Sequence, residues 1–447
     1  MEDRKGNIIV VSLVPVLTIS NVVARISLKL VKTFFLVCGA NIAGILAVVS
    51  FFVSRRIYNT RRQLLETRLV SGGRELRIEY SFLRKVAGVP TKFRYKELEE
   101  ATDGFRALLG QGASASVFKG ILNDGTPVAV KRIVGDDKGE KEFRSEVAAI
   151  ASIQHVNLLR LLGYCSVPSG PRFLVYEFVY HGSLDNWIFP RRETHGRRGG
   201  CLSWDLRCRV ALDVARALSY LHHDCRSCIL HLDVKPENIL LDESYRALVC
   251  DFGLSKLMGK EESRIVTTIR GTRGYLASEW PLENGVSEKC DVYGFGMVLL
   301  EINGGRRNVC TIEDENERRK KKFECFAKIA IEKLREGKLM EIVDRRLVLA
   351  GGIDERQVKR LVCIALWCIQ DKPKVRPSMG LVVEMLEGRV PVDEPPENTQ
   401  FLIADLLSAE DGESTTPDRG RLFAAMDNAI IPSTAGYSFS ISVLSGR

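Results

Sequence analysis

The chain of 447 residues has no tandem period, which excludes solenoid and propeller arrays. It also lacks the charge excess of a nucleic-acid binder. Lys and Arg total 65 against 56 for Asp and Glu, a net charge of +9, and no nucleic-acid partner is expected from that balance. No second C-x-x-C pairs with Cys225 and Cys228, and although His222 and His223 lie close by, no histidines stand at zinc spacing. A packing role for these cysteines is expected over a metal site. Of the 12 cysteines, Cys38 falls in an apolar run and the rest follow it into what reads as a reducing compartment, so a disulfide framework is not expected. On either reading of residues 1–32, hardly any chain is expected to remain for an ectodomain.

What is present begins with TFFLVCGANIAGILAVVSFFV, residues 33–53, which carries no charge. As a helix it would be about 31 Å long, enough to cross a bilayer core. Arg55, Arg56, Arg61, Arg62 and Arg68 follow it, which predicts a cytoplasmic C-terminal side. These arginines either only fix that topology or also lie on anionic lipid, at about 1 kcal/mol each near the surface. Upstream, IIVVSLVPVLTISNVV reads as a signal peptide or a first membrane segment within residues 1–32, and the choice stays open. A single-pass membrane protein, in the plasma membrane and with a cytoplasmic body, is the expectation.

Residues 54–104 read as a basic juxtamembrane stretch. From about Phe105 to Ile133 turns such as NDG break a strand-rich block. KEFRSEVAAIASI then places Phe143, Val147 and Ile150 at helical spacing. Beyond Ser183 the chain reads mostly helical, as in WDLRCRVALDVARALSYLHH. The fold class is therefore α+β: a small β-rich lobe with one key helix and a larger α-helical lobe, spanning 105–388, behind a transmembrane helix. Residues 389–447, with VDEPPEN and AEDGESTTPDRGR, read as a disordered tail. RRETHGRR and RRKKK read as solvated loops.

Four local patterns carry chemistry. LGQGASASV comprises Leu109, Gly110, Gln111, Gly112, Ala113, Ser114, Ala115, Ser116 and Val117. It is a turn with small side chains, which lets phosphate approach open backbone N–H groups. VAVK ends an alternating strand on Lys131, and a lysine buried there is costly unless it meets an anion. Glu146, on the next helix, could supply its counter-charge; the alternative is an exposed pair of little energetic value. In HLDVKPENILLD, Asp233 can accept the proton of an attacking hydroxyl and Lys235 can neutralise a transferring phosphoryl group. Asn238 and Asp251, the latter in CDFGL, offer hard oxygen ligands suited to Mg²⁺.

Together these stretches resemble the eukaryotic protein kinase signature from about Leu108 to Leu386. TKFRYKELEEATDGF, FLVYEFVYHGSLDNWIF, GTRGYLASEW, SEKCDVYGFGMVLLEI and LWCIQDKPKVRPSM resemble plant receptor-like serine/threonine kinases more narrowly. HLDVKPENILLD resembles the branch that includes S-domain receptor kinases, although no S-domain is present. The resemblance implies a two-lobed kinase fold with ATP between the lobes and Mg²⁺ as its partner. It implies Tyr176 as gatekeeper, Glu177 to Val179 as hinge, and Val117, Ala129 and Leu240 around the base. It further implies Asp291 as anchor of the catalytic loop, a Glu279–Arg376 pair in the large lobe, and serine/threonine substrates from Lys235 with Thr272.

Three residues depart from the pattern. Ala115 replaces the third glycine, Ser278 replaces the proline of A-P-E, and Leu232 replaces the arginine that often precedes the catalytic Asp. The first is expected to loosen or reposition the phosphate loop and the second to cost some rigidity beside the substrate segment. Leucine cannot pair with an activation-loop phosphate, so activity without such an anchor is expected, with Thr267, Thr268 and Thr272 as the sites to test. The reading is a membrane-anchored kinase of protein substrates, itself included, with a membrane co-receptor or signalling partner. Two others stand beside it: a pseudokinase scaffold that binds partners without phosphoryl transfer, and a ligand-sensing receptor in its own right.

Overall fold

The computed structural model describes residues 14–24, 42, 50–51, 55, 90–112, 115–134, 137–150, 153–167, 170–190, 200–259, 262–268, 270–272, 274–280, 285–313, 321–396 and 430–431. The chain divides into two units, Met1–Val86 and Ala87–Arg447. In the first, residues 14–24 are helical. No helix among the described residues is long and apolar enough to cross a membrane. The expected span 33–53 lies outside the described residues except at Ile42, Ser50 and Phe51, as do Arg56, Arg61, Arg62 and Arg68.

The second unit opens with strand β1, Thr91–Lys92, and helix α1, Tyr95–Ala101. Strands β2, Leu108–Gln111, β3, Ala115–Ile121, and β4, Pro127–Ile133, follow. Helix α2, Asp137–Ile150, leads to β5, Leu161–Ser166, and β6, Arg172–Glu177. These strands make one sheet in the order β1-β5-β6-β4-β3-β2. Alternation along β4 sends Val128 and Val130 to one face and Ala129, Lys131 and Ile133 to the other. On the first face α1 contributes the fully buried Leu98, which packs with Val128, Val130, Phe173 and Val175. Phe105 stacks on Phe173 in the same cluster, at 5.4 Å between ring centres. Segment 90–104, expected as juxtamembrane chain, therefore forms part of this lobe.

The helical body starts at α3, Trp204–Ser219, where Ser203 caps the first turn by accepting from the Leu206 N–H. Short strands β7, Cys228–Leu230, β8, Ile239–Leu241, β9, Ala247–Val249, and β10, Lys256–Met258, pair as β8 with β9 and β7 with β10. Helix α4, Glu288–Gly304, is buried on all sides from Cys290 to Asn303 and runs through the core, with Asp291, Glu301 and Asn303 among its hydrophobic residues. It packs against α5, Glu355–Cys368, where Cys363 and Cys368 are buried as packing groups.

Candidate functional site

The apolar face of β4 that carries Ala129 and Lys131 looks onto α2. Lys131 is nearly buried, and its ammonium donates to Glu146 Oε2 at 2.9 Å, Glu146 Oε1 at 3.2 Å and Asp251 Oδ1 at 2.7 Å. Burial by itself would lower the lysine pKa, but the Asp251 and Glu146 carboxylates outweigh it and hold the ammonium charged. Glu146 is raised, chiefly by burial, against the pull of Lys131. Asp251 goes the other way: burial opposes its charge, yet Lys131 keeps it below the usual carboxylate range. The Tyr176 hydroxyl also donates to Glu146 Oε1. No motif pointed to that bond; it arises because β6 pairs with β4 and brings Ala129 opposite Tyr176.

The glycine-rich turn joins β2 to β3. The Gly112 N–H donates to the Ala115 carbonyl at 2.8 Å, while Ala113 and Ser114 lie outside the described residues. Ala115 pairs with Ile133 at the start of β3 and is not among the positive-φ residues, so its methyl meets no backbone penalty. The loosening expected from a missing glycine has no basis at this position. Leu109, Val117, Ala129, Tyr176, Val179 and Leu240 are all buried in one apolar cluster. Glu177 turns its carboxylate to the Arg160 N–H at 3.1 Å, and β6 ends there.

The second constellation hangs from α4. Asp291 accepts from the His231 N–H at 2.8 Å and the Leu232 N–H at 2.7 Å, with His222 Nε2 2.9 Å away. His222 is thus a buried partner of Asp291, which explains its place beside Cys225 without a metal. His231 Nε2 donates to the Cys250 carbonyl at 2.9 Å, leaving Nδ1 to accept from the Asp233 N–H at 3.2 Å. Around Asp233 the side chains close a ring. Lys235 donates to Oδ2 at 2.7 Å, Thr272 donates to Oδ1 at 2.8 Å, and Lys235 also donates to the Thr272 hydroxyl at 2.8 Å. Burial opposes the Lys235 charge, but the Asp233 carboxylate beside it prevails and holds the Lys235 pKa above the usual lysine range.

Asn238 donates through Nδ2 to the Asp233 carbonyl and to Oδ2, both at 2.9 Å. Its Oδ1 is buried with no hydrogen-bond partner. The Cys250 N–H donates to the Asn238 carbonyl at 2.9 Å, which ties this loop to the residue preceding Asp251. An orphaned amide oxygen tied so to an ionised carboxylate is a donor set that fits a hard divalent cation completed by phosphate oxygens. Among the described residues no group of three His, Cys, Asp or Glu side chains could hold a metal by itself.

In the large lobe Glu279 and Arg376 form a buried fork, with bonds of 2.7 and 2.9 Å. The Ser278 hydroxyl donates to the Asp371 carbonyl at 3.3 Å, so the serine in place of proline gains one tether to the same lobe.

The protein kinase domain family matches residues 105–387. A probable receptor-like protein kinase of Arabidopsis thaliana is 62% identical over 419 residues, 93% of this chain and 92% of the relative. A G-type lectin S-receptor-like serine/threonine-protein kinase of the same plant is 45% identical over 373 residues, 82% of this chain and 43% of the relative. One from Oryza sativa subsp. indica is 41% identical over 334 residues, 72% of this chain and 38% of the relative. The chain spans less than half the length of these two S-receptor-like relatives.

Proposed function

Because the chain belongs to the protein kinase family, as a receptor-like serine/threonine kinase, we propose that it is anchored in a membrane by residues 33–53 and phosphorylates protein hydroxyls, its own included, with ATP and Mg²⁺. The observation that carries this reading is the ring of Asp233, Lys235, Thr272 and Asn238, tied through the backbone to the residue beside Asp251, which in turn meets Lys131. A scaffold without catalysis needs none of these bonds.

In this reading Asp233 is the base. Its Oδ2 already accepts from Lys235 and Asn238, whereas Oδ1, among the described residues, accepts from Thr272 and keeps a lone pair for the proton of a substrate hydroxyl. Lys235 holds its positive charge beside the Asp233 carboxylate, on Oδ2, so negative charge that develops on the transferring group meets a cation already in place. Bound nucleotide and metal would supply the phosphoryl group and the charge neutralisation that transfer requires. Asn238 Oδ1 and the Asp251 carboxylate would hold the metal. Lys131, fixed by Glu146, would hold phosphate oxygens, and Leu109, Val117, Ala129, Leu240 and the hinge at Glu177 to Val179 would hold the base.

Leu232 bears on regulation. It is buried and apolar, and it has no means of anchoring a phosphate on Thr267 or Thr268. Activity is therefore expected without an activation-loop phosphate. Protein substrates and a membrane co-receptor or signalling partner are the partners proposed, with the juxtamembrane arginines either fixing topology or also lying on anionic lipid and the kinase body on the cytoplasmic side of the plasma membrane.

The test is incorporation of labelled phosphate by the purified full chain with ATP and Mg²⁺. Wild type should incorporate label, and Lys131→Met and Asp251→Asn should not. Nucleotide binding with no incorporation under any condition would favour the scaffold. Loss of activity in Thr267→Ala with Thr268→Ala, restored by acidic replacements, would overturn the phosphate-independent switch.

A further inference from the structure

We infer that Leu232 is a positioning residue, whose side chain seats Gly271, Leu276 and Trp280 against the catalytic loop by apolar packing. This rests on the kinase reading and deepens it: substrate binding depends on this seat.

The backbone comes first. Leu232 has φ +64, a left-handed conformation that leucine rarely adopts and that surrounding structure must hold in place. Asp291 does so by taking the N–H groups of both His231 and Leu232. Glycine would meet no penalty at that φ, so the leucine side chain is what the position gains for its strain.

The residue is 6% exposed and lines a cleft with Gly271, Leu276, Trp280 and Cys290. Across that cleft the chain runs close. A Cβ built on Gly271 would lie 3.1 Å from Leu276 Cδ1, 3.9 Å from the Leu232 carbonyl oxygen and 4.0 Å from the Trp280 ring. The seat is one residue from the chemistry on both sides. Leu232 precedes Asp233, Gly271 precedes Thr272, and Thr272 donates to Asp233 at 2.8 Å. Fixing the first pair fixes the second.

Charge does not suit this place. Asp291 is already engaged by two backbone N–H groups and His222, and the buried Trp280 Nε1 is a donor with no partner. A cation at position 232 would be buried beside a second donor and would forgo the apolar contact with Leu276 and Trp280, which is costly for a buried charge. The seat is built for an apolar side chain, and one of leucine's size.

The experiment measures steady-state kinetics of the full chain with a serine peptide substrate. Leu232→Ala should raise the peptide KM by about fivefold or more, through a vacated apolar contact, while the ATP KM stays within about twofold. Leu232→Met, close in volume, should return the peptide KM to within about twofold of wild type. Leu276→Ala should raise the peptide KM as well, and the double variant should fall short of the product of the two effects by about twofold or more, as coupled neighbours do. Amide hydrogen exchange over 271–280 should accelerate by about tenfold in Leu232→Ala, with the strand around Lys131 unchanged. That readout needs no turnover, so an inactive wild type would sink the kinase reading and leave the seat measurable. Wild-type peptide KM in Leu232→Ala, or wild-type exchange over 271–280, would overturn the inference. So would a rise in ATP KM equal to that in peptide KM, which would mark a general loss of structure.

Discussion

Arg376→Ala is the sharpest probe of the large lobe. The guanidinium has five N–H donors, and all are used. Two go to Glu279, and the others to the carbonyls of Gln370 at 2.6 Å, Lys289 at 2.8 Å and Asp371 at 3.3 Å. Its plane also lies 5.0 Å from the Tyr293 ring centre. Alanine would strip these bonds and strand a Glu279 carboxylate that is only 4% exposed, beside the weak Cys290 thiol donor. Breaking a buried pair from one side costs about 3–5 kcal/mol, a large share of the roughly 5–15 kcal/mol that holds a domain together. The purified chain should lose about 10 °C in melting temperature, and its urea midpoint should fall in step. Arg376→Lys keeps a charge but not the fork and should cost less. The decisive arm is Glu279→Leu with Arg376→Met, which removes both charges at similar volume and should recover about half of the loss or more. A cost below about 1 kcal/mol for Arg376→Ala, or a double variant as poor as the sum of its parts, would refute the reasoning.

Two further outcomes follow from buried groups elsewhere. Glu301 is pushed up to about 8, mainly by burial and despite the Arg307 charge, the Asn308 N–H and the Tyr275 hydroxyl. A carboxyl raised in this way contributes stability that is complete below its unfolded pKa near 4.5 and is lost as pH climbs through about 8. Glu301→Gln should therefore gain on wild type in melting temperature between pH 5.5 and 8.5, and parallel profiles would show that Glu301 does not titrate in this window. Leu98→Asp would put a carboxylate into the fully buried contact between α1 and the sheet, at a cost of about 3 kcal/mol in urea unfolding. A shift no larger than that of an exposed α1 substitution such as Glu100→Ala would mean that the helix is not part of the lobe.

The site was legible wherever its residues are neighbours in the chain or stand at fixed intervals. Asp233, Lys235 and Asn238 share one loop, and their chemistry can be read from residue type and spacing. Lys131 and Glu146 sit on successive elements, so a strand followed by a helix was enough to pair them. What stayed hidden depends on strand pairing across long stretches of chain. Tyr176 reaches Glu146 only because β6 lies beside β4, and Lys131 reaches Asp251 from 120 residues away. Ala115 misled for a related reason: a glycine pattern suggests a required φ, yet the residue sits in a regular strand. Segment 90–104 gives little sequence signal of belonging to the lobe, since Leu98 within KELEEA is the one apolar residue of that helix to be fully buried. Its binding face could be recognised only with the opposing sheet in view.

That sheet also shows how the lobe is kept from pairing with strangers. β5 has β6 on one side, and on the other the two residues of β1, with Thr91 opposite Gly163. A Cβ at Gly163 would stand 2.2 Å from the Thr91 carbonyl oxygen and 2.4 Å from the Phe93 ring. Any side chain there would drive β1 off and open a row of unpaired backbone groups, a ready template for a second chain. The glycine thus protects solubility as much as shape, and its loss should appear first as self-association at high protein concentration.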